Sequence, residues 1–219
     1  MDNRSLFHQA VAELQAQLLD MASHVQQSIH QAVDALARLD AELAKKTIAH
    51  DDVIDQMMLD IEEACGRLIV RQQPMASDLR IIQTARKIST DLERIADHAV
   101  DIAKIVLRIA DEQLVKPLIT IPQMAQITID MLQDSLNSYT QRDVNLAASL
   151  AEKENQVDRI YAEVLQELIM MMGNDYTRNR QLSHLTFVVH YLERVADHVT
   201  NIGEDVIYML TGKRKDLNI

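Results

Sequence analysis

Along the stretch from Ile88 to Ile109, apolar side chains recur at Ile88, Leu92, Ile95, Ala99, Ile102, Val106 and Ile109, in alternating steps of four and three. Leu185, Leu192, Val195, Val199, Ile202 and Val206 repeat the pattern near the C-terminal end. Such steps put one narrow stripe on one side of a helix and favour long helices packed at shallow angles. No helix of this kind buries its stripe alone, so the pattern predicts a bundle.

Breakers and caps divide the chain into six helices. The first is expected from near Ser5 to Leu39, with Asp40 as a turn residue and N-cap for a second that runs to about Gln72, before Pro74. Ser77 or Asp78 opens the third, carried to about Asp111, and Pro117 and Pro122 punctuate the link that follows. Thr120 or Ile121 opens the fourth and Asp143 the fifth. Gly173, Asn174 and Asp175 interrupt before a sixth that should end near Leu210, ahead of Gly212.

The two halves are copies of one another. LERIADH at Leu92 to His98 recurs as LERVADH at Leu192 to His198, an offset of 100 residues. Met21, Ala22, Asp40, Leu43, Ala44 and Asp55 find identical partners at Met124, Ala125, Asp143, Leu146, Ala147 and Asp158, an offset of 103. The three-residue difference belongs in the connection before the third helix of each unit. The expected fold is all-α, a tandem duplication of an antiparallel three-helix bundle, with residues 1–115 and 116–219 as the two units, joined end to end or side by side.

Composition agrees with helices. Aromatic residues make up 3% of the chain, there is no Trp, and Gly and Pro total seven, so turn formers and sheet formers are both scarce. No apolar run approaches the ~20 residues of a membrane span, and the first turns, MDNRSLFHQAVAELQ, are charged and lack the features of an export signal. Cys65 is the single cysteine, which suits a reducing compartment. A cytoplasmic protein that does not cross the membrane is expected. With 33 acidic against 22 basic residues and a net charge of −11, the chain repels phosphate backbones overall. Direct nucleic-acid binding is not expected; protein partners or cations are.

Candidate chemistry sits in charged residues that the duplication retained. The third helix presents Glu93, Asp97 and Asp101 at i, i+4 and i+8, and the sixth presents Glu193, Asp197 and Asn201. At ~100° per residue these rows fall roughly opposite the apolar stripe, facing outward. Asp51 with Asp55 and Glu154 with Asp158 lie on the shoulders of the second and fifth helices. Stacked carboxylates repel one another, and a cation between them removes that repulsion. Carboxylate oxygens suit magnesium, calcium and manganese, whereas iron or zinc usually takes a nitrogen as well. His190, one turn before Glu193, is placed to supply one; His98 and His198 point away. The competing reading is an ordinary solvated face, with Arg86, Arg94, Lys104 and Arg108 neutralising the third helix's row. His24, His30, His50 and His184 have no partner at ligand spacing, and Met170 to Met172 is expected to fill core gaps rather than hold copper.

Catalytic patterns are missing. Four glycines form no phosphate-binding loop, no histidine follows an acidic residue at the spacing used in di-iron bundles, and nothing around Cys65 marks a nucleophile. An enzyme is not expected.

RQQPMASDLRIIQTARKISTDLERIADHAVDIAK, from Arg71 to Lys104, resembles the third-helix hallmark of the PhoU family, and HYLERVADHVTNIGEDVIYMLTG, from His190 to Gly212, is similar to its C-terminal counterpart. The resemblance covers essentially the whole chain. It implies a cytoplasmic regulator of phosphate uptake and homeostasis that negatively modulates the phosphate ABC transporter through its ATPase subunit, and the phosphate sensor histidine kinase, by protein–protein binding. It further implies a homodimer, and multinuclear iron or other metal clusters on acidic-x-x-x-Asp motifs, here Asp51 with Asp55, Glu93 with Asp97, Glu154 with Asp158 and Glu193 with Asp197. Asn201 stands where the first half has Asp101, which argues against equal metal occupancy of the halves. The alternatives are a metal-free helical adaptor and a metal-dependent phosphohydrolase.

Overall fold

The computed structural model describes residues 3–172 and 176–217. Six helices follow in order: α1 Asn3–Arg38, α2 Ala41–Gln72, α3 Ser77–Ile109, α4 Thr120–Gln141, α5 Val144–Met172 and α6 Asn179–Thr211, the last preceded by a 3-10 turn, Tyr176–Arg178. Among the described residues there is no strand, and no helix is long and apolar enough to cross a membrane. Gly173, Asn174 and Asp175, expected to interrupt the chain before α6, lie outside the described residues.

Both predicted caps are in place. Asp40 Oδ1 accepts from the backbone N–H groups of Glu42 (3.0 Å) and Leu43 (2.9 Å), and Asp143 Oδ1 from those of Asn145 (2.8 Å) and Leu146 (3.1 Å). Each satisfies donors that the first turn of α2 or α5 leaves unpaired. The preceding helices end alike. Leu39 (φ 53°) and Arg142 (φ 58°) turn left-handed, and the next N–H returns to Ala35 or Ser138 at 2.9 Å. This closes each helix with a Schellman turn built on a residue other than glycine.

In each half the three helices pack on one another, and the halves then pair side by side through α3 against α6 and α1 against α4. α3 and α6 run antiparallel: Arg80 Nε donates to the Met209 carbonyl, Thr84 to that of Asp205, and Arg180 at the other end to that of Arg108. Buried side chains from both triplets form one apolar cluster, from Phe7 and Leu14 on α1 to Val206 and Met209 on α6. Leu92 and Leu192, centrally placed, are fully buried; losing either to Ala would cost about 2–5 kcal/mol. Met171 and Met172 do pack against the core edge, whereas Met170 is exposed.

Candidate functional site

α3 is covered by α1 and α2 on one side and by α6 on the other, so Ala96, Val100, Ala103 and Ile105 are buried as well as the seven-residue stripe. Little of its circumference remains for an outward acidic row. Glu93 and Asp97 consequently do not face away from the bundle. They lie half-buried in the groove between α3 and α2, whose Asp51 and Asp55 are close enough to act on them electrostatically. The second half repeats the arrangement between α5 and α6 with Glu154, Asp158, Glu193 and Asp197. The expectation of an outward face opposite the stripe is corrected here for Glu93, Asp97, Glu193 and Asp197, which are half-buried, while Glu154, expected on the shoulder of its helix, is only 5% exposed. The i, i+4 spacing placed each pair on one face, but the facing helix, not water, meets that face.

Crowding shows in the protonation equilibria. Burial, reinforced by Asp55 and Asp97, pushes the Asp51 carboxyl up to about 6. Burial pushes Glu154 up to about 7, with Asp197 and Asp158 adding to the shift and Thr200 opposing it. Glu93 and Glu193 are also raised, by burial first and then by Asp97 and Asp197 respectively. Asp197 is raised by burial, with Arg194 opposing. Desolvation and like charge both disfavour the ionised forms.

Counter-charges reach only the rims. Arg94 Nη1 lies 3.1 Å from Asp97 Oδ2, and Arg194 Nη1 lies 2.6 Å from Asp197 Oδ2, the same i, i+3 pair in each copy. Arg94 Nε is 3.4 Å from Glu93 Oε2. Of the other cations expected to neutralise the α3 row, Lys104 pairs with Asp101 at 3.3 Å, while Arg86 turns to Glu62 at 3.0 Å. Asp51 Oδ1 and Glu193 Oε2 are buried and accept no hydrogen bond. His190 Nδ1 stands 3.4 Å from that Glu193 oxygen, in ion-pair range, as its spacing anticipated.

This donor set, carboxylate-rich with two buried oxygens lacking a donor, fits a hard or borderline cation. Among the described residues, no three His, Cys, Asp or Glu side chains are already gathered as ligands for one ion. Asp101 and Asn201 stand apart from the two foursomes. Asp101 faces His98 and Tyr191 as well as Lys104, and the exposed Asn201 lines a cleft of about 490 Å³ with Lys87, Asp91, Glu204 and Arg214.

Several polar contacts carry no mark in the periodicity. Asp205, 6% exposed, receives Lys87 across the α3/α6 junction. His198 Nδ1 is 2.9 Å from Asp91 Oδ1, whereas its counterpart His98 stacks on Tyr191 with centroids 5.6 Å apart. Burial and the neighbouring His198 bring His98 down to about 4. His24 and His50, which have no partner at ligand spacing along the chain, meet between α1 and α2 at 2.8 Å. For Asp205 the available signal was a charged residue on the inner side of α6 where the first copy has Ile105; for the histidines, 26 residues apart, there was none.

Residues 18–106 and 121–206 match the family described as PhoU domain. The chain is 40% identical over 216 residues to the phosphate-specific transport system accessory protein PhoU homolog of Clostridium acetobutylicum, covering 98% of this chain and 99% of that one. It is 34% identical to the homolog so named from Pseudomonas aeruginosa, covering 95% and 89% respectively. Two crystal structures superpose closely. One, the phosphate transport system regulatory protein PhoU from Streptococcus pneumoniae, has a TM-score of 0.88 and 32% identity, covering 96% of this chain and 99% of that one. The other, PhoU from Pseudomonas aeruginosa, has a TM-score of 0.90 and 33% identity, covering 94% and 100%. With matched units in both halves, full-length relatives and the same arrangement of helices, the chain belongs to the PhoU family.

Proposed function

We propose that this chain is a cytoplasmic, non-enzymatic accessory regulator of phosphate transport. It restrains the phosphate ABC transporter through the ATPase subunit, and the phosphate sensor histidine kinase, by protein–protein binding as a homodimer. The names of its relatives, transport system accessory and regulatory proteins, support the general role. The observation that carries the finer reading is the pair of acidic grooves, Asp51, Asp55, Glu93 and Asp97 in one half and Glu154, Asp158, Glu193 and Asp197 in the other. Buried like charges without matching cations favour taking up metal ions. Iron, zinc, manganese, magnesium or calcium bound there would supply positive charge and open coordination positions at the surface. The eight carboxylates hold the ions, and Arg94 and Arg194 trim the residual charge.

A metal-free adaptor is the second reading. It is favoured by the ion pairs Arg94–Asp97 and Arg194–Asp197, which partly compensate the grooves already. Metal analysis of protein purified without chelator separates the two. In the metal-bound reading, Glu93→Ala with Asp97→Ala lowers metal content and weakens capture of the ATPase subunit while helicity stays intact. Unchanged metal content and unchanged capture would overturn the role of the grooves.

A further inference from the structure

We propose that the cleft between α3 and the end of α6 binds a phosphate-type oxyanion, free or carried as a small ester, through Arg86, Lys87 and Arg214. The cleft measures about 350 Å³ and is lined by these three cations with Gln83, Thr90 and Tyr208, and by no carboxylate among the described residues. Acidic side chains line instead the neighbouring cleft of about 490 Å³, which shares Lys87, Tyr208 and Arg214 as a common wall.

Two of the cations are each met by one acid. Arg86 Nε lies 3.0 Å from Glu62 Oε1, and Lys87 Nζ reaches both oxygens of Asp205. Arg214 has no carboxylate in ion-pair range among the described residues; its guanidinium carbon lies 5.5 Å from the centroid of the Tyr208 ring. Three cations against two carboxylates leave one positive charge here, on a chain whose net charge is −11. Donors are left over as well. Glu62 takes only Nε of Arg86, so both Nη groups remain, and Asp205 takes two of the three N–H groups of Lys87. Guanidinium forks and an ammonium beside them suit a phosphate group, to which the Tyr208 hydroxyl can also donate.

The chain end builds one wall. Gly212, at φ 72°, closes α6 with its N–H on the Tyr208 carbonyl, and the tail folds back until the Leu217 N–H donates to Glu204 Oε1 at 2.8 Å. Arg214 is thus delivered to the cleft by a segment tied at both ends. Packing of the helices does not require these cations. At the offset of 100, Thr186 and Phe187 stand where α3 has Arg86 and Lys87.

The test titrates inorganic phosphate, and separately glycerol phosphate, into the chelator-stripped full chain at constant ionic strength, following heat by calorimetry and the backbone amides of residues 212–217 by NMR. One saturable step should appear and move those amides, and the tighter of the two compounds identifies the source of the phosphate. Arg86→Gln and Arg214→Gln, both at exposed positions, should each weaken it about tenfold at unchanged helicity. Glu93→Gln with Asp97→Asn should leave it in place, which separates this cleft from the acidic grooves. No saturable step with either compound, full affinity in Arg214→Gln, or loss of the step in the groove variant would each overturn the site.

Discussion

Lys87 on α3 places Nζ 2.6 Å from Oδ1 and 3.0 Å from Oδ2 of Asp205 on α6, joining the halves by an ion pair whose acidic side chain is only 9% exposed. One hundred residues away, the equivalent positions are Phe187 and Ile105. The antiparallel crossing of α3 and α6 is thus polar at one end and apolar at the other. Replacing Lys87 by Met strands the Asp205 carboxylate. Breaking a fully buried pair costs about 3–5 kcal/mol; with Lys87 half exposed, the expected loss is roughly 1–3 kcal/mol in urea unfolding. Lys87→Phe with Asp205→Ile, which copies the opposite end, should recover most of it. A double variant no more stable than Lys87→Met would show that this end does not accept an apolar pair.

Glu154 ties stability to pH. Its carboxyl rises from 4.5 to about 7 on folding, and that of Asp51 from 3.8 to about 6. Between those values the folded chain holds protons that the unfolded chain releases, so stability falls as pH rises through the window. In the presence of chelator, the melting temperature should drop from about pH 5 to about pH 8. Glu154→Gln should flatten that drop and gain on the order of 1–3 kcal/mol at the alkaline end. Parallel pH profiles for the variant and the unaltered protein would refute the assignment.

The helix junctions offer opposite signs of change. Asp40→Ala and Asp143→Ala each remove a cap and should cost about 1 kcal/mol. Arg142, at φ 58°, occupies a left-handed position that favours glycine, so Arg142→Gly should stabilise by up to about 1 kcal/mol. Chemical denaturation of the three variants checks both directions.

Gly203 lies where α6 passes close against α5. A Cβ there would stand 2.6 Å from Leu150 Cδ1 and 3.2 Å from the Ala147 carbonyl oxygen. The leucine can rotate, but the carbonyl is fixed backbone. Gly203→Ala is expected to lower stability by about 1–3 kcal/mol through overpacking, although Ala103 fills the matching position of α3. An unchanged melting temperature would show that α5 gives way without cost.

Much of this architecture was legible along the chain because its determinants are local. Asp40 and Asp143 cap the helices they precede, Pro74 follows the end of α2, and the near-identical segments LERIADH and LERVADH exposed the duplication. What escaped were consequences of rotation and pairing between helices. Spacing put Glu93 and Asp97 on one face of α3, but only the docking of α2 shows that the face lies in a groove beside Asp51 and Asp55. The apolar stripe gave no hint that neighbouring helices would bury Val100 and Ile105 as well. Asp205 and Lys87 belong to different halves, and no periodicity within either helix pairs them.

The shared contact of α3 with α6 has a practical consequence for dissecting the molecule. Cutting the chain in the link after α3 would strip both severed pieces of the contact in which Thr84 meets Asp205 and Ile105 lies beside His184 and Tyr191 of α6. Either fragment made alone would be born with a sticky side, and would meet its solubility requirement only by clinging to its sister piece or to another copy of itself.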